Sequence, residues 1–486
     1  MRKLLQIVAS VFAVTALGLP ASAVEPTILF ETEIPGFELA SGRRIVVDEG
    51  GVAYDVAGYQ GNFNAILVTR IEPDGTPGWQ TTLDGSSIDI ATGVELDHSG
   101  NVVIVGFTDS ADFPTTADAL FPSQINFRDA FLVKLDTGTG HLVYGTYLGA
   151  YHTEAAGDVA IAPDGTIWLV GETDSPDFPV VNALQPALGN YQYLASDAFV
   201  TAISADGQQI LYSTYFGATK DDRGLGIGIA PDGSIVIAGT TNSVDFPVVG
   251  GVQGTLAGQG AGVTPADAFV ARISADGSQL LASTYLGGGG TEILWGFDLG
   301  PEGSPYLTGR TDSLDFPTIP DAVQPAFAGP PGNCEVPFSG DRNCYEGFVA
   351  RLGPDLGSLV FGTYLGGDQD DELRDIDVDS GGGARVAGYS FSPNYPVTSG
   401  PGGFGIVAAQ LDATGTRLDY AILLDADGST NSGHGVAVGP NEATTYITGS
   451  RHVPYSVYVA RLTGGGLVFE DGFESGNASA WATAAQ

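Results

Sequence analysis

Lysine is nearly missing from this chain. Of 486 residues only Lys3, Lys134 and Lys220 carry an ammonium side chain, and 18 basic residues face 57 acidic ones, a formal charge of −39. Phosphate neutralisation needs clustered Lys and Arg, so the balance argues against nucleic acid as a partner and against binding to anionic membranes. No run of 18 apolar residues follows the first twenty, which excludes a later spanning helix and any expectation of membrane insertion. Several catalytic templates are also missing: His-Glu-x-x-His, Gly-x-Ser-x-Gly, the phosphate loop Gly-x-x-x-x-Gly-Lys-Ser/Thr, and a Cys pair at zinc spacing. Glycine, by contrast, is abundant. Its 71 residues are about twice the usual share and announce many turns, while 43% apolar and 10% aromatic content supply a large core.

The N-terminus reads as an export address. Arg2 and Lys3 precede an apolar run from Leu4 to Leu19, and Ala21-Ser-Ala23 has the small-x-small form of a cleavage site, so cleavage is expected after Ala23. The expected organisation is a signal peptide over 1–23, one domain over 24–463, and a tail over 464–486. That tail contains Asp471-Gly-Phe-Glu-Ser-Gly476 and resembles tails on assorted exported bacterial proteins, which implies sorting or surface attachment.

Internal repetition dictates the fold. One block runs Gly157-Asp-Val-Ala-Ile-Ala-Pro-Asp-Gly165, Ile167-Trp-Leu-Val-Gly171, Thr173-Asp-Ser-Pro-Asp-Phe-Pro179, Asp197-Ala-Phe-Val-Thr-Ala-Ile203 and Ile210-Leu-Tyr-Ser-Thr-Tyr-Phe-Gly217. Period-two alternation in its apolar segments predicts four strands, A to D. The glycine closing strand B recurs as Gly58, Gly106, Gly171, Gly239, Gly309, Gly388 and Gly449, giving seven units spaced 48 to 79 residues apart. Units one to six each carry a D pattern and the seventh does not. Ile28, Phe30, Thr32 and Ile34 reproduce the spacing of Leu142, Tyr144, Thr146 and Leu148, so the N-terminal segment is expected to supply the missing strand. The predicted fold is all-β, a seven-bladed β-propeller of four-stranded antiparallel blades closed by an N-terminal D strand, an arrangement that leaves no open end to the ring.

The form Ala-Pro-Asp-Gly…Gly-x-Thr-Asp-Ser-x-Asp-Phe-Pro resembles the bacterial β-propeller repeat often labelled SBBP, over roughly residues 90 to 400. The resemblance implies the fold. It brings no catalytic or binding residues with it, because propellers host enzymes, lectins and docking platforms alike.

Asp164-Gly165, Asp206-Gly207, Asp232-Gly233 and Asp276-Gly277 mark short, uniform A–B and C–D turns. The B–C and D–A connections share the opposite face and vary in length, so that face is the expected working surface. Four B–C loops repeat an acidic pattern through Asp109 and Asp112, Asp174 and Asp177, Asn242 and Asp245, Asp312 and Asp315. Two readings stand: Ca²⁺ sites built from paired carboxylate oxygens, or local caps on backbone amides with Phe plugging the gap between blades. The D–A connections carry Asp221, Asp222, Glu292, Trp295, Asp370, Asp371 and Glu372, read as an acidic rim that would concentrate a cation or a basic partner. Cys334 and Cys344 lie in the longest loop and are expected to form a disulfide.

These features predict an exported binding or scaffold module, monomeric, with an extracellular protein or glycan as partner and no catalytic residues assigned. A cation-dependent extracellular hydrolase or lyase and a cell-surface structural protein are the alternatives.

Overall fold

A computed structural model describes residues 26–34, 41–60, 64–189, 195–258, 266–330, 334, 343–399, 403–424, 431–452 and 455–463. The expected signal peptide and tail lie outside the described residues. Seven four-stranded antiparallel sheets stand around one axis. Their first strands, the A strands nearest the axis, are β2 (Ser41–Val47), β6 (Asp89–Leu96), β10 (Glu154–Ile161), β14 (Asp222–Ile229), β18 (Glu292–Leu299), β22 (Asp371–Val378) and β26 (Ser432–Val438). Six blades then run B, C and D outward in chain order. The seventh takes its outer strand from the other end of the chain: β1 (Ile28–Ile34) pairs antiparallel with β28 (Tyr455–Thr463), with Phe30 opposite Arg461 and Ile34 opposite Val457. The borrowed strand is held by packing as well as by pairing, since Ile34 is buried and the Phe30 ring meets Tyr446 edge-on at 6.3 Å.

The core lies between blades. Apolar residues of facing sheets interdigitate there, as in the cluster of Val103, Leu132, Ile167, Leu169 and Phe199 between blades two and three. The repeated Phe of the Asp-Phe-Pro element packs into four of the gaps, with Phe113, Phe178, Phe246 and Phe316 stacking on Phe131, Phe199, Phe269 and Phe348 at 4.6 to 4.8 Å. A strand-D tyrosine fixes it in place; Tyr215 Oη donates to Ser175 O at 2.7 Å and accepts from Phe178 N at 3.1 Å. The tight turns use glycine as expected, with Gly165 and Gly233 at φ 86° and 81° and the preceding aspartates accepting from the amides that follow.

Strand B extends further than its sequence pattern predicts. The recurring glycine is not where strand B ends, since those strands run past it to Thr108, Thr173, Thr241 and Thr311. It faces an irregularity in strand A. In all seven blades the A–B pairing skips one A residue: Arg43, Thr92, Gly157, Leu225, Trp295, Arg374 and His434. Such a bulge pushes a backbone carbonyl toward strand B, so that a Cβ on Gly106 would stand 2.0 Å from Ile90 O, and one on Gly239 only 1.8 Å from Arg223 O. Only glycine fits opposite the bulge.

Candidate functional site

A bulge re-aims the side chain it inserts. Here the inserted residues sit on the innermost strands, near their starts, and therefore beside the B–C and D–A loops. Thr92, Gly157, Leu225, Trp295, Arg374 and His434 line a bowl of about 240 Å³ at that end of the axis. The scaffold is seven times the same, and the six inserted residues that line the bowl are all different. Around them stand Phe107, Glu172, Arg223 and Arg44. The bowl is lopsided: small and apolar residues (Ala155, Ala156, Gly157, Leu225) occupy one arc, while Trp295, Arg374, His434 and Arg44 occupy the other.

Ion pairs and stacking fix the cationic arc. Arg374 lies over the Trp295 indole at 4.4 Å and pairs with Glu372 at 2.6 Å; Arg310 pairs with the same Glu372 and stacks on Tyr345 at 4.1 Å. Arg223 pairs through Nε with Glu172 at 2.9 Å and is more than half exposed. Arg44 is the floor. Its Nε donates to Thr92 O in blade two at 2.8 Å, Nη1 to Asp375 in blade six at 3.0 Å, and Nη2 to Trp295 O in blade five at 3.3 Å. The guanidinium thus spans the axis and separates the bowl from a lower channel of about 540 Å³.

That lower channel is acidic, lined by Glu95, Asp158, Asp298, Asp375 and Asp377. The inner edge of each A strand has no partner strand, and these carboxylates satisfy its amides across blades: Asp158 accepts from Ile227 N at 3.2 Å, Asp298 from Val378 N at 2.7 Å, Asp375 from Val436 N at 2.9 Å and Asp377 from Val438 N at 2.6 Å. Desolvation by the crowded strands raises all of them, Glu95 to about 7 and Asp158 and Asp375 to about 6. Asp298 and Asp377 face one another and are raised by burial first, Asp298 also by its neighbour's charge.

The residues predicted for an acidic rim are placed differently. Asp222 and Glu292 are 0% exposed, Asp371 1%, Glu372 2% and Asp370 8%. Asp221 alone among these carboxylates stands at the surface, accepting from Ser196 N at 3.2 Å. The physical reason is the Gly-x-Thr-Asp-Ser element, whose hydroxyls reach inward to the first carboxylate of strand A. Thr108 and Ser110 donate to Asp89 at 2.5 and 3.1 Å, Thr173 to Glu154 at 2.8 Å, Thr241 and Ser243 to Asp222, Thr311 and Ser313 to Glu292, and Ser392 to Asp371. These acids lock the D–A turn to the B–C loop. Trp295, by contrast, reaches the bowl.

Four of these five buried acids, all but Asp89, have an acidic neighbour at the start of strand C, giving the pairs Asp129–Glu154, Asp197–Asp222, Asp267–Glu292 and Glu346–Asp371. A Cβ on Gly217 would stand 2.7 Å from Asp222 Oδ2 and 2.9 Å from Asp197 Oδ1; on Gly287 it would stand 2.3 Å from Glu292 Oε2 and 2.7 Å from Asp267 Oδ1. Asp129, Asp197 and Asp267 each keep one buried Oδ1 without a hydrogen-bond partner. Burial raises Asp129, Asp197 and Asp267 to about 6, Glu154, Asp222, Glu292 and Asp371 to about 7, and Glu346 to about 8. Each pair holds a proton well above the ordinary carboxylate range.

The repeated loop acids are engaged by amides. Asp112 accepts from Ser86 N at 2.8 Å, Asp174 from Thr153 N at 2.7 Å, Asp177 from Tyr151 N at 3.3 Å, Asp245 from Thr219 N at 3.3 Å, Asp312 from Thr291 N at 2.6 Å and Asp315 from Gly289 N at 2.7 Å. Asp109 instead pairs with Arg128 at 2.7 Å. N–H groups surround these oxygens, whereas Ca²⁺ needs six or more oxygen ligands. Among the described residues the one three-ligand grouping is Cys334, Cys344 and Asp370, and its two sulfurs are joined to each other as a disulfide. The bridge lies on the next D–A turn, where Asp370 accepts from Tyr345 N at 2.8 Å.

No family model matches the chain, and no curated protein matches it either. Solved structures match in fold. A protein of unknown function from Dyadobacter fermentans is 10% identical, with 81% of this chain and 100% of that one covered and a TM-score of 0.45. Sqt1 of Chaetomium thermophilum, bound to the N-terminus of ribosomal protein L10, is 11% identical over 89% and 98% of the two chains, TM-score 0.43. The quinohemoprotein alcohol dehydrogenase ADHIIG of Pseudomonas putida HK5 is 11% identical over 92% and 77%, TM-score 0.44. At these identities the likeness assigns no activity.

Proposed function

We propose that this seven-bladed propeller is an exported binding module of the SBBP repeat type, and that it recognises its ligand in the axial bowl on the loop face. One observation carries the reading: six of seven equivalent bulges bring non-equivalent residues to one concavity, the departure from symmetry that a binding site requires of a symmetric scaffold. The N-terminal address and the Cys334–Cys344 bridge support export to an oxidising compartment. Glycan and peptide arrays test the reading when probed with the wild-type chain and with Leu225→Trp, which fills the bowl without altering the loops. A ligand whose signal disappears in the variant is the expected result. Signals that are equal for both proteins across the array refute the bowl as the recognition site.

A further inference from the structure

From the chemistry of its lining, we infer that the bowl takes a ring-sized carboxylate, seated on the small-residue arc with its anionic group toward Arg374 and Arg223. The inference rests on the binding reading above and adds the class of ligand. Three observations carry it. The first is size: about 240 Å³ is below the roughly 300 Å³ at which pockets begin to hold drug-sized molecules, so a single ring fits and a chain does not.

The second is the donor inventory. Arg44, Arg223, Arg374 and the Trp295 indole are donors only, and Glu172 is the lone carboxylate of the lining. Arg44 is held through each of its three nitrogens by Thr92, Asp375 and Trp295, and Arg223 and Arg374 are the lining arginines placed to meet a ligand. Trp295 Nε1 and Arg374 Nε are buried without a hydrogen-bond partner.

The third is the way the lining arginines are paired. Arg223 meets Glu172 through Nε and Arg374 meets Glu372 through Nη2, so each carboxylate takes one side of its guanidinium. The fork of a guanidinium suits a planar carboxylate, and Ala155, Ala156 and Leu225 offer apolar contact to the ring that carries it.

The carboxylate could be borne by an acidic sugar or by an aromatic acid, and the probes separate them. The full chain is titrated calorimetrically with galacturonate, benzoate and, as the uncharged counterpart, galactose. Binding of galacturonate identifies a sugar acid and binding of benzoate an aromatic one; either is expected to weaken at least tenfold in Arg374→Gln and in Arg223→Gln, and to weaken further between 50 and 500 mM salt. Arg223 is the more exposed of the two, so its variant reads out the ligand even where Arg374→Gln fails to fold. Galactose binding as tightly as the acids, acid binding untouched by both substitutions, or no binding of either acid overturns the inference. A neutral array ligand lost in Leu225→Trp leaves the binding reading standing while this one falls; no ligand sensitive to that variant removes both.

Discussion

Replacing Asp197 with asparagine should stabilise the propeller in neutral and alkaline solution and leave it nearly unchanged in acid. Asp197 is fully buried beside Asp222. Its Oδ2 accepts from Gly189 N at 2.8 Å and Gln185 Nε2 at 2.7 Å, while Oδ1 has no donor. Burial lifts the carboxyl from 3.8 to about 6. The folded chain therefore binds this proton more tightly than the unfolded chain, so stability is fully present below about pH 4, falls as pH rises, and is lost by about pH 6 and above. Two units correspond to about 3 kcal/mol. Asparagine keeps an acceptor for Gly189 and Gln185 and turns an N–H toward Asp222, removing the penalty. Thermal melts of both proteins at pH 3 and pH 8 should show a gain of about 3 °C for the variant at pH 8 and almost none at pH 3, at the entropy of unfolding expected for a domain this large. A variant that loses stability equally at both pH values would refute a proton-sharing pair. Loss confined to pH 8 would show instead that a cation joins the two carboxylates.

Three other outcomes follow from the same geometry. Arg44→Met should cost about 2 to 3 kcal/mol in denaturant unfolding, because Asp375 loses its charged partner while keeping Val436 N; an unchanged midpoint would show that the axial bridge contributes nothing. Removing residues 28–34 exposes the edge of β28, so light scattering should find dimers or aggregates, and a monomer with wild-type melting would contradict closure by β1. Reducing Cys334–Cys344 opens a loop of separation 10 and should cost about 2 to 3 kcal/mol by loop entropy, read as a lower melting temperature that Cys334→Ser reproduces.

The architecture was legible in the residues because it repeats. Period-two alternation located the strands, and the match of Ile28–Ile34 to Leu142–Leu148 located the borrowed one. The bowl was harder to find. Acidic residues of the D–A connections suggested a charged rim, but charge does not reveal burial, and the Thr and Ser hydroxyls that draw Asp222 and Glu292 inward come from a different part of the repeat. The missed residues are arginines: Arg44, Arg223, Arg310 and Arg374. Two signals pointed to them. The recurring strand-B glycine marks a bulge across from it, and the residue inserted there is a strand-A position whose identity varies among the repeats. In a chain so poor in cations, arginine near that position in blades one, four, five and six was itself informative.

The clasp of the last blade also fixes where the described chain enters and leaves. Thr27 N donates to Thr463 Oγ1 and Thr463 N to Thr27 O, so the two ends emerge side by side from the face with the uniform turns, opposite the bowl. A tether at either end would hold the disc by its back, with the bowl turned outward. Tension between the two ends would open the β1–β28 ladder rung by rung, as a zipper opens, which makes the outermost strand the mechanical fuse of the ring.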